Sequence, residues 1–328
     1  VRRSPTICEK IADHVTRAYT RGLHEVGDGL YAYLQPDGGW GWSNAGLVVD
    51  GDGTLLIDTL FDLRLTEQML TDMRRAVPAA ARIDTLVNTH ADADHCYGNQ
   101  LVGGARIVAS ERTAGQMSEL PPAVLAALLE QAPKMGKLGE FFLRCFGAFE
   151  VGGIELALPE QTFSGELTLQ VGAREVRLIE VGPAHTRGDT LALLPAERVL
   201  FSGDIVFHDR HPIVWAGPVS NWIAACDRIL AMDVELIVPG HGPLAGKPAV
   251  RELKAYFEYL YEQARARHAE GMTALQAARS IALDRWADWG ESERLVVNIA
   301  TIYSELSGDQ APLTPVAAFE QMADWDLG

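Results

Sequence analysis

Cationic residues are scarce in this chain, with 28 Lys and Arg against 44 Asp and Glu and a formal net charge of −16. A groove for nucleic acid or a docking face for an anionic membrane needs concentrated Lys and Arg, so neither partner is expected. Cysteine is scarcer still. The four present, Cys8, Cys96, Cys145 and Cys226, form no CxxC pair. A thiolate zinc site and a disulfide framework are therefore not expected, and a reducing cytoplasm is the expected compartment. No run reaches the roughly 20 apolar residues that span a bilayer. The opening VRRSPTICEKIADHVTRAYT interleaves apolar and polar residues and lacks the apolar centre of a signal peptide. A G-x-S-x-G elbow and a phosphate-cradling P-loop are missing as well, which argues against a serine nucleophile and a nucleotide site.

What is present reads as alternating strands and helices. Gly29 to Leu60 reads as strands and turns, with Gly51 to Gly53 a hairpin turn between two apolar runs. Leu63 to Val77 has helical spacing, and IDTLVNTH is a short apolar run that ends at His90. Residues 111–150, rich in Leu and Phe and broken at Pro133 and Gly136, read as a helical insertion. FSGELTLQV, REVRLIEVG, TLALLP, RVLFSGD and ELIVPGHG follow as strands. After Pro248 the chain turns helical, with RELKAYFEYLYEQARARHAE one amphipathic stretch and TALQAARSIALDRW starting at Thr273 in a capping box with Gln276. The expected division is a core of residues 1–248 and a helical extension of 249–328. The extension is expected to pack on the core, with a homodimer or substrate-site role as the alternative.

The densest chemistry lies in THADADHCYGN, where two histidines and two aspartates fall within six positions after a strand. Aspartate is seldom buried unless paired or bound to metal, and histidine is the commonest metal-binding side chain. A divalent cation that neutralises the carboxylates is the economical explanation. Further candidates stand at strand ends: His185 in GPAHTRGDT, Asp204 in LFSGD and His241 in VPGHG. Glycines beside them permit the sharp turns that present a ligand at a sheet edge.

In order and residue type these motifs resemble the metallo-β-lactamase superfamily of dinuclear metallohydrolases, over about Gly29 to Pro243. The resemblance implies an α/β (α+β) fold, an αββα sandwich here carrying the helical insertion and the C-terminal helical extension. It also implies two divalent metal ions. His90, Asp92 and His185 would hold one ion, Asp94, His95 and His241 the other, and Asp204 would bridge both. Asp58, in LLIDT, would orient the histidine loop rather than ligate. The implied reaction is hydrolysis by a metal-bridging hydroxide, with Asp94 as the catalytic proton carrier.

One position departs from the family signature HxHxDH: Asp92 stands where its second histidine would be. Three carboxylates then face two divalent ions, which lowers the formal site charge from about +2 to about +1. Zinc is the first expectation for the metal, and harder oxygen ligands make iron or manganese the alternatives. Flavodiiron oxidoreductases and a diiron hydroxylase branch of the superfamily are similar in carrying a carboxylate, glutamate, here. A diiron oxidoreductase or oxygenase is thus the alternative to a hydrolase of an ester, lactone, thioester or amide. Substrate contacts are expected from Trp40, Trp42 and Asn44 in GGWGWSN and from Phe207, His208, His211 and Trp215 in FHDRHPIVWAGP. With Phe141, Phe142 and Phe146 in the insertion, they predict a largely apolar small-molecule substrate, with the insertion covering the metal cluster.

Overall fold

The structure, a computed structural model, describes residues 19–308 and 313–326; Cys8 and all but the last two residues of the opening stretch read for a targeting signal lie outside the described residues. From Gly22 the chain meanders through β1 (Gly22–Gly27), β2 (Leu30–Leu34), β3 (Ala45–Asp50) and β4 (Gly53–Ile57), each antiparallel to the last. Gly51 turns β3 into β4 at φ 58°, a left-handed conformation that glycine adopts without steric cost. β5 (Thr85–Val87), β6 (Arg106–Ser110) and β7 (Gln161–Phe163) continue this sheet in parallel. The second sheet has the order β12-β11-β10-β9-β8, built from β8 (Glu166–Val171), β9 (Arg174–Glu180), β10 (Thr190–Leu194), β11 (Val199–Phe207) and β12 (Leu236–His241).

The sheets pack face to face. Leu30, Val48, Leu55 and Val108 of the first share one buried core with Leu178, Leu194, Phe201 and Val238 of the second. Gly46 on β3 is fitted to this contact, because a Cβ there would strike the Phe201 ring. Helices cover both outer faces. α1 (Leu63–Ala76) buries Leu65, Met69, Leu70 and Met73, and Asp62 caps it by accepting the Leu65 N–H at 2.6 Å. A single turn, α2 (Ala93–Cys96), follows β5. The insertion between β6 and β7 is α3 (Glu111–Met117), α4 (Pro122–Gln131) and α5 (Gly136–Phe146), broken near Pro133 and Gly136 as their chemistry predicts.

α6 (Val219–Ala231) lies between β11 and β12, and α7 (Lys247–Ala269), α8 (Ala274–Ser280), α9 (Leu295–Ser307) and α10 (Pro315–Asp326) close the chain. Leu253, Tyr256 and Phe257 of α7 and Leu295 and Ile299 of α9 share a core with Leu191, Leu200 and Ile237 of the second sheet. α7, α8 and α9 are therefore the outer layer of that sheet, whereas Ala318, Met322 and Ala323 of α10 pack with Phe141 and Phe142 of α5 in the other core, and the whole is an αββα sandwich. Among the described residues no helix is long and apolar enough to cross a membrane.

Two elements differ from the expectation. FSGELTLQV is not one strand: Phe163 ends β7 in the first sheet, Gly165 turns at φ 74°, and β8 opens the second. An apolar run with one central glycine carries no signal for such a change of sheet. The helix from Thr273 has its capping box but stops at Ser280, short of Trp286. Asp284 sits at φ 45°, outside the right-handed helical region, and Trp286 turns onto the rings of Tyr256 and Tyr259. Burial of a large aromatic overrides the helical spacing there.

Candidate metal centre

Asp58 follows β4, His90 follows β5, Asp92 to His95 enter α2, His185 lies between β9 and β10, Asp204 lies within β11 and His241 ends β12. Both sheets thus deliver their functional side chains to one edge. His185 Nε2 lies 3.1 Å from Asp92 Oδ2 and 3.4 Å from Asp204 Oδ2, and the His90 and His185 ring centroids are 4.9 Å apart. His241 Nε2 lies 3.2 Å from Asp94 Oδ2 and 3.3 Å from Asp204 Oδ2, while His95 Nε2 is 3.1 Å from Asp204 Oδ1. Two adjoining donor sets result, His90, His185 and Asp204, with Asp92 beside them, and Asp94, His95 and His241, while Asp58 forms a third group behind His90 and His95. Asp204 touches imidazoles of both.

Each imidazole is aimed from behind. His95 Nδ1–H donates to Asp58 Oδ2 at 2.9 Å, His185 Nδ1–H to the Ile213 carbonyl at 2.8 Å, and His241 Nδ1–H to the Gly38 carbonyl at 3.0 Å. Thr89 spends its hydroxyl proton on Asp58 at 2.6 Å, so His90 Nδ1–H donates to the Thr89 oxygen at 3.0 Å. One buried carboxylate therefore orients two histidines, directly and through a threonine. With every Nδ1 protonated, every Nε2 faces the cluster and offers a lone pair to a cation that displaces any proton it carries. Asp58 stands at φ 61°, a left-handed conformation costly for aspartate, held by these bonds and by the Thr89 N–H. Gly240 leaves room at the centre, because a Cβ there would overlap the Asp204 carboxylate.

The residues present fit divalent metal. Nε2 of His90, Nε2 of His95 and Oδ1 of Asp204 are buried without a hydrogen-bond partner among the described residues, an arrangement that is costly unless a cation satisfies all three. Burial opposes charge on His241 and His185, yet the Asp204 and Asp94 carboxylates push the first up to about 9 and Asp92 and Asp204 push the second up to about 9. Burial and the neighbouring His95 keep His90 well below the ordinary imidazole range. Burial would raise Asp204, but His241, His95 and His90 hold it well below the ordinary carboxylate range. The carboxylates stay ionised and draw positive charge to the cluster, which a divalent cation supplies in exchange for protons.

The cluster opens into a cavity of about 1060 Å3. Asp92, Asp94, His185, Asp204 and His241 form its floor, and Leu125, Leu128 and Phe142 of the insertion form one wall. Of the expected substrate contacts, Trp40, Phe207 and Trp215 line this cavity. Four others lie elsewhere. Asn44 is buried, and its Nδ2 donates to the carbonyls of Pro239 and Gly242, so it straps the His241 turn instead. Trp42 packs on Phe149 at 4.9 Å and beneath Arg21. His208 donates through Nδ1 to Pro243, and His211, also singled out, is buried against the Tyr256 hydroxyl. Neither His208 nor His211 is among the described residues that line the cavity.

Other contributors were not singled out. Asp189 accepts from the Ala184 and Thr186 N–H groups and from the Thr186 hydroxyl, fixing the loop that presents His185. Its signal was an aspartate four residues after the histidine, beside a threonine. Arg294, Thr301 and Phe319, from the C-terminal helices and the residue before α9, complete the cavity wall. Nothing in local spacing brings them to the cluster.

The family model of the metallo-beta-lactamase superfamily matches residues 38–241. The chain belongs to that superfamily. Its cluster of His and Asp side chains suits divalent metal, with Asp92 standing where the family signature has its second histidine. Over 248 residues it is 27% identical to the 2,4-dinitroanisole O-demethylase subunit alpha of Nocardioides sp. (strain JS1661), a match covering 74% of this chain and 63% of that one. Over 253 residues it is 24% identical to an acyl-coenzyme A thioesterase of Gallus gallus, covering 74% and 86%. Among solved structures, the stereoselective inverting sec-alkylsulfatase of Pseudomonas sp. superposes with a TM-score of 0.66 at 16% identity, covering 94% of this chain and 54% of that one. The likeness to the sulfatase reaches into the C-terminal helices, and the chain spans about half the sulfatase's length and under two thirds of the demethylase subunit's.

Proposed function

We propose that this metallo-beta-lactamase-fold enzyme hydrolyses an ester, lactone, thioester or amide in a largely apolar small molecule. One observation carries the reading: a His and Asp cluster with buried, partnerless atoms on His90, His95 and Asp204 opens, through Asp92, Asp94, His185, Asp204 and His241, into a large cavity walled by aromatic and leucine side chains. His90, Asp92 and His185 would hold one metal ion and Asp94, His95 and His241 the other, with Asp204 between them. Bound there, two divalent ions would supply Lewis acidity to the substrate oxygen and acidity to a water molecule. The chain's own groups do the rest. Asp94, ionised and at the cavity floor, takes the proton of the attacking water on its carboxylate and delivers it to the leaving group. Trp40, Phe207 and Trp215 seat the apolar body and exclude bulk water, which strengthens electrostatic interactions at the floor. Zinc is the first expectation for the metal, and a reducing cytoplasm is the expected compartment, in keeping with the buried thiols of Cys96 and Cys226.

Asp92 favours one second reading. A third carboxylate suits iron or manganese, and a relative is named as a demethylase, so a diiron oxidoreductase is the competing assignment. Metal analysis after purification without added metal, with turnover compared in air and under anaerobic conditions, separates the two. Oxygen-independent turnover with zinc or manganese is the expected result, and iron with stoichiometric oxygen consumption would overturn it. In the same assay Asp92→Ala should lose one of the two metal equivalents, whereas Asp92→His should keep both and shift preference toward zinc.

A further inference from the structure

Arg294 is a buried cation that lines the cavity, 2% exposed and without an ion pair among the described residues. Its guanidinium lies 4.2 Å over the Trp40 ring centroid and 5.5 Å over that of Phe207. Phe207 in turn stacks on the metal-cluster residue His241, with ring planes 2° apart. Nη1 donates to the His211 carbonyl at 2.9 Å; Nε is buried with no partner. The charge acts locally, since it helps hold the neighbouring His211 in its neutral form.

A desolvated guanidinium needs an anion or a full set of acceptors. Two aromatic faces and one carbonyl supply part of that, and the remaining N–H groups meet no acceptor among the described residues. The carboxylates of Asp92, Asp94 and Asp204 serve the imidazoles around them. Arg294 stands one aromatic ring away from His241, so a group held by it is removed from the bond that reacts at the cluster. A planar fork of N–H donors at such a distance matches a carboxylate on the far part of the substrate.

We propose that Arg294 is a specificity-determining residue that binds a carboxylate carried by the otherwise apolar substrate. This rests on the reading of the cavity as the substrate site, and it narrows the substrate class to apolar acids with a hydrolysable bond.

Calorimetric titration of the metal-loaded enzyme with 4-phenylbutyrate and with 4-phenylbutan-1-ol tests it, because the two probes share a body and differ in charge. The acid should bind at least about tenfold more tightly than the alcohol, and Arg294→Met should reduce that gap to under about threefold while alcohol binding stays unchanged. Arg294→Gln, which keeps a donor for the His211 carbonyl, gives the same comparison if the Met variant is poorly folded. A preference for the acid that persists in both variants would place the carboxylate on the metals, and equal binding of the two probes by the unaltered enzyme would remove the need for Arg294. Either result overturns the proposal. Failure of the metal-loaded enzyme to hydrolyse any ester, lactone, thioester or amide of such acids, with the charge preference intact, would defeat the hydrolytic reading alone.

Discussion

Asp58 has the widest reach of any single side chain outside the ligand sets. It accepts from His95 directly and receives His90 through the Thr89 hydroxyl, so its loss frees two imidazoles at once. Asp58→Ala should weaken metal binding by about 10–100-fold, the usual cost of removing a group behind a metal ligand. Competition with a coloured chelator measures this, and affinity equal to that of the unaltered enzyme would contradict the orienting role. Much of this site was legible in the sequence because His90 to His95 crowd four ionisable groups into one turn, and few packing roles would tolerate that. Asn44 misled for the opposite reason. A polar residue in a glycine- and tryptophan-rich loop looks like a substrate contact until the Pro239 and Gly242 carbonyls are found across the sheet.

Among the elements, the segment between β11 and α6 ties the sandwich to its helical layer. His211 meets the Tyr256 hydroxyl of α7, and its carbonyl receives Arg294 at the threshold of α9. Burial, reinforced by Arg294, pushes the His211 imidazole down from 6.5 to about 4. A group whose pKa falls on folding adds stability above its unfolded value and loses it as pH drops through the folded one. His211 should therefore cost the fold about 3 kcal/mol between pH 6.5 and 4, at about 1.4 kcal/mol per pKa unit. His211→Gln should melt at a less pH-dependent temperature over that range, as circular dichroism at successive pH values would reveal; an unchanged acid limb would contradict the buried neutral state. Strand and helix order could be read from periodicity and from caps such as Thr273. The change of sheet at Gly165 and the stop at Ser280 could not, because each depends on contacts made far away in the chain.

Across the whole molecule, the cluster joins strands from both sheets: Asp58 and His90 just beyond strand ends of one, Asp204 within β11 and His241 at the end of β12 of the other. Metal bound there would act as a clip between layers otherwise held by apolar packing. Chelation should lower the melting temperature by several degrees, since a ligand at a thousand times its Kd adds about 4 kcal/mol to folding. Calorimetry with and without chelator checks this, and coincident transitions would argue against metal in the native state.

The cavity has a division of labour in its construction. Its floor is rooted in strand ends, whereas Leu125, Leu128 and Phe142 hang from the insertion and Phe319 from the last helix, where Phe319 meets Trp40 at 5.7 Å and Phe142 at 5.4 Å. Walls and floor therefore belong to separate parts of the chain. Substitutions in α4, α5 and α10 can reshape what fits without disturbing what reacts, so a lineage could change diet while keeping its chemistry. A library confined to those three helices would search new substrates at little risk to the metal site.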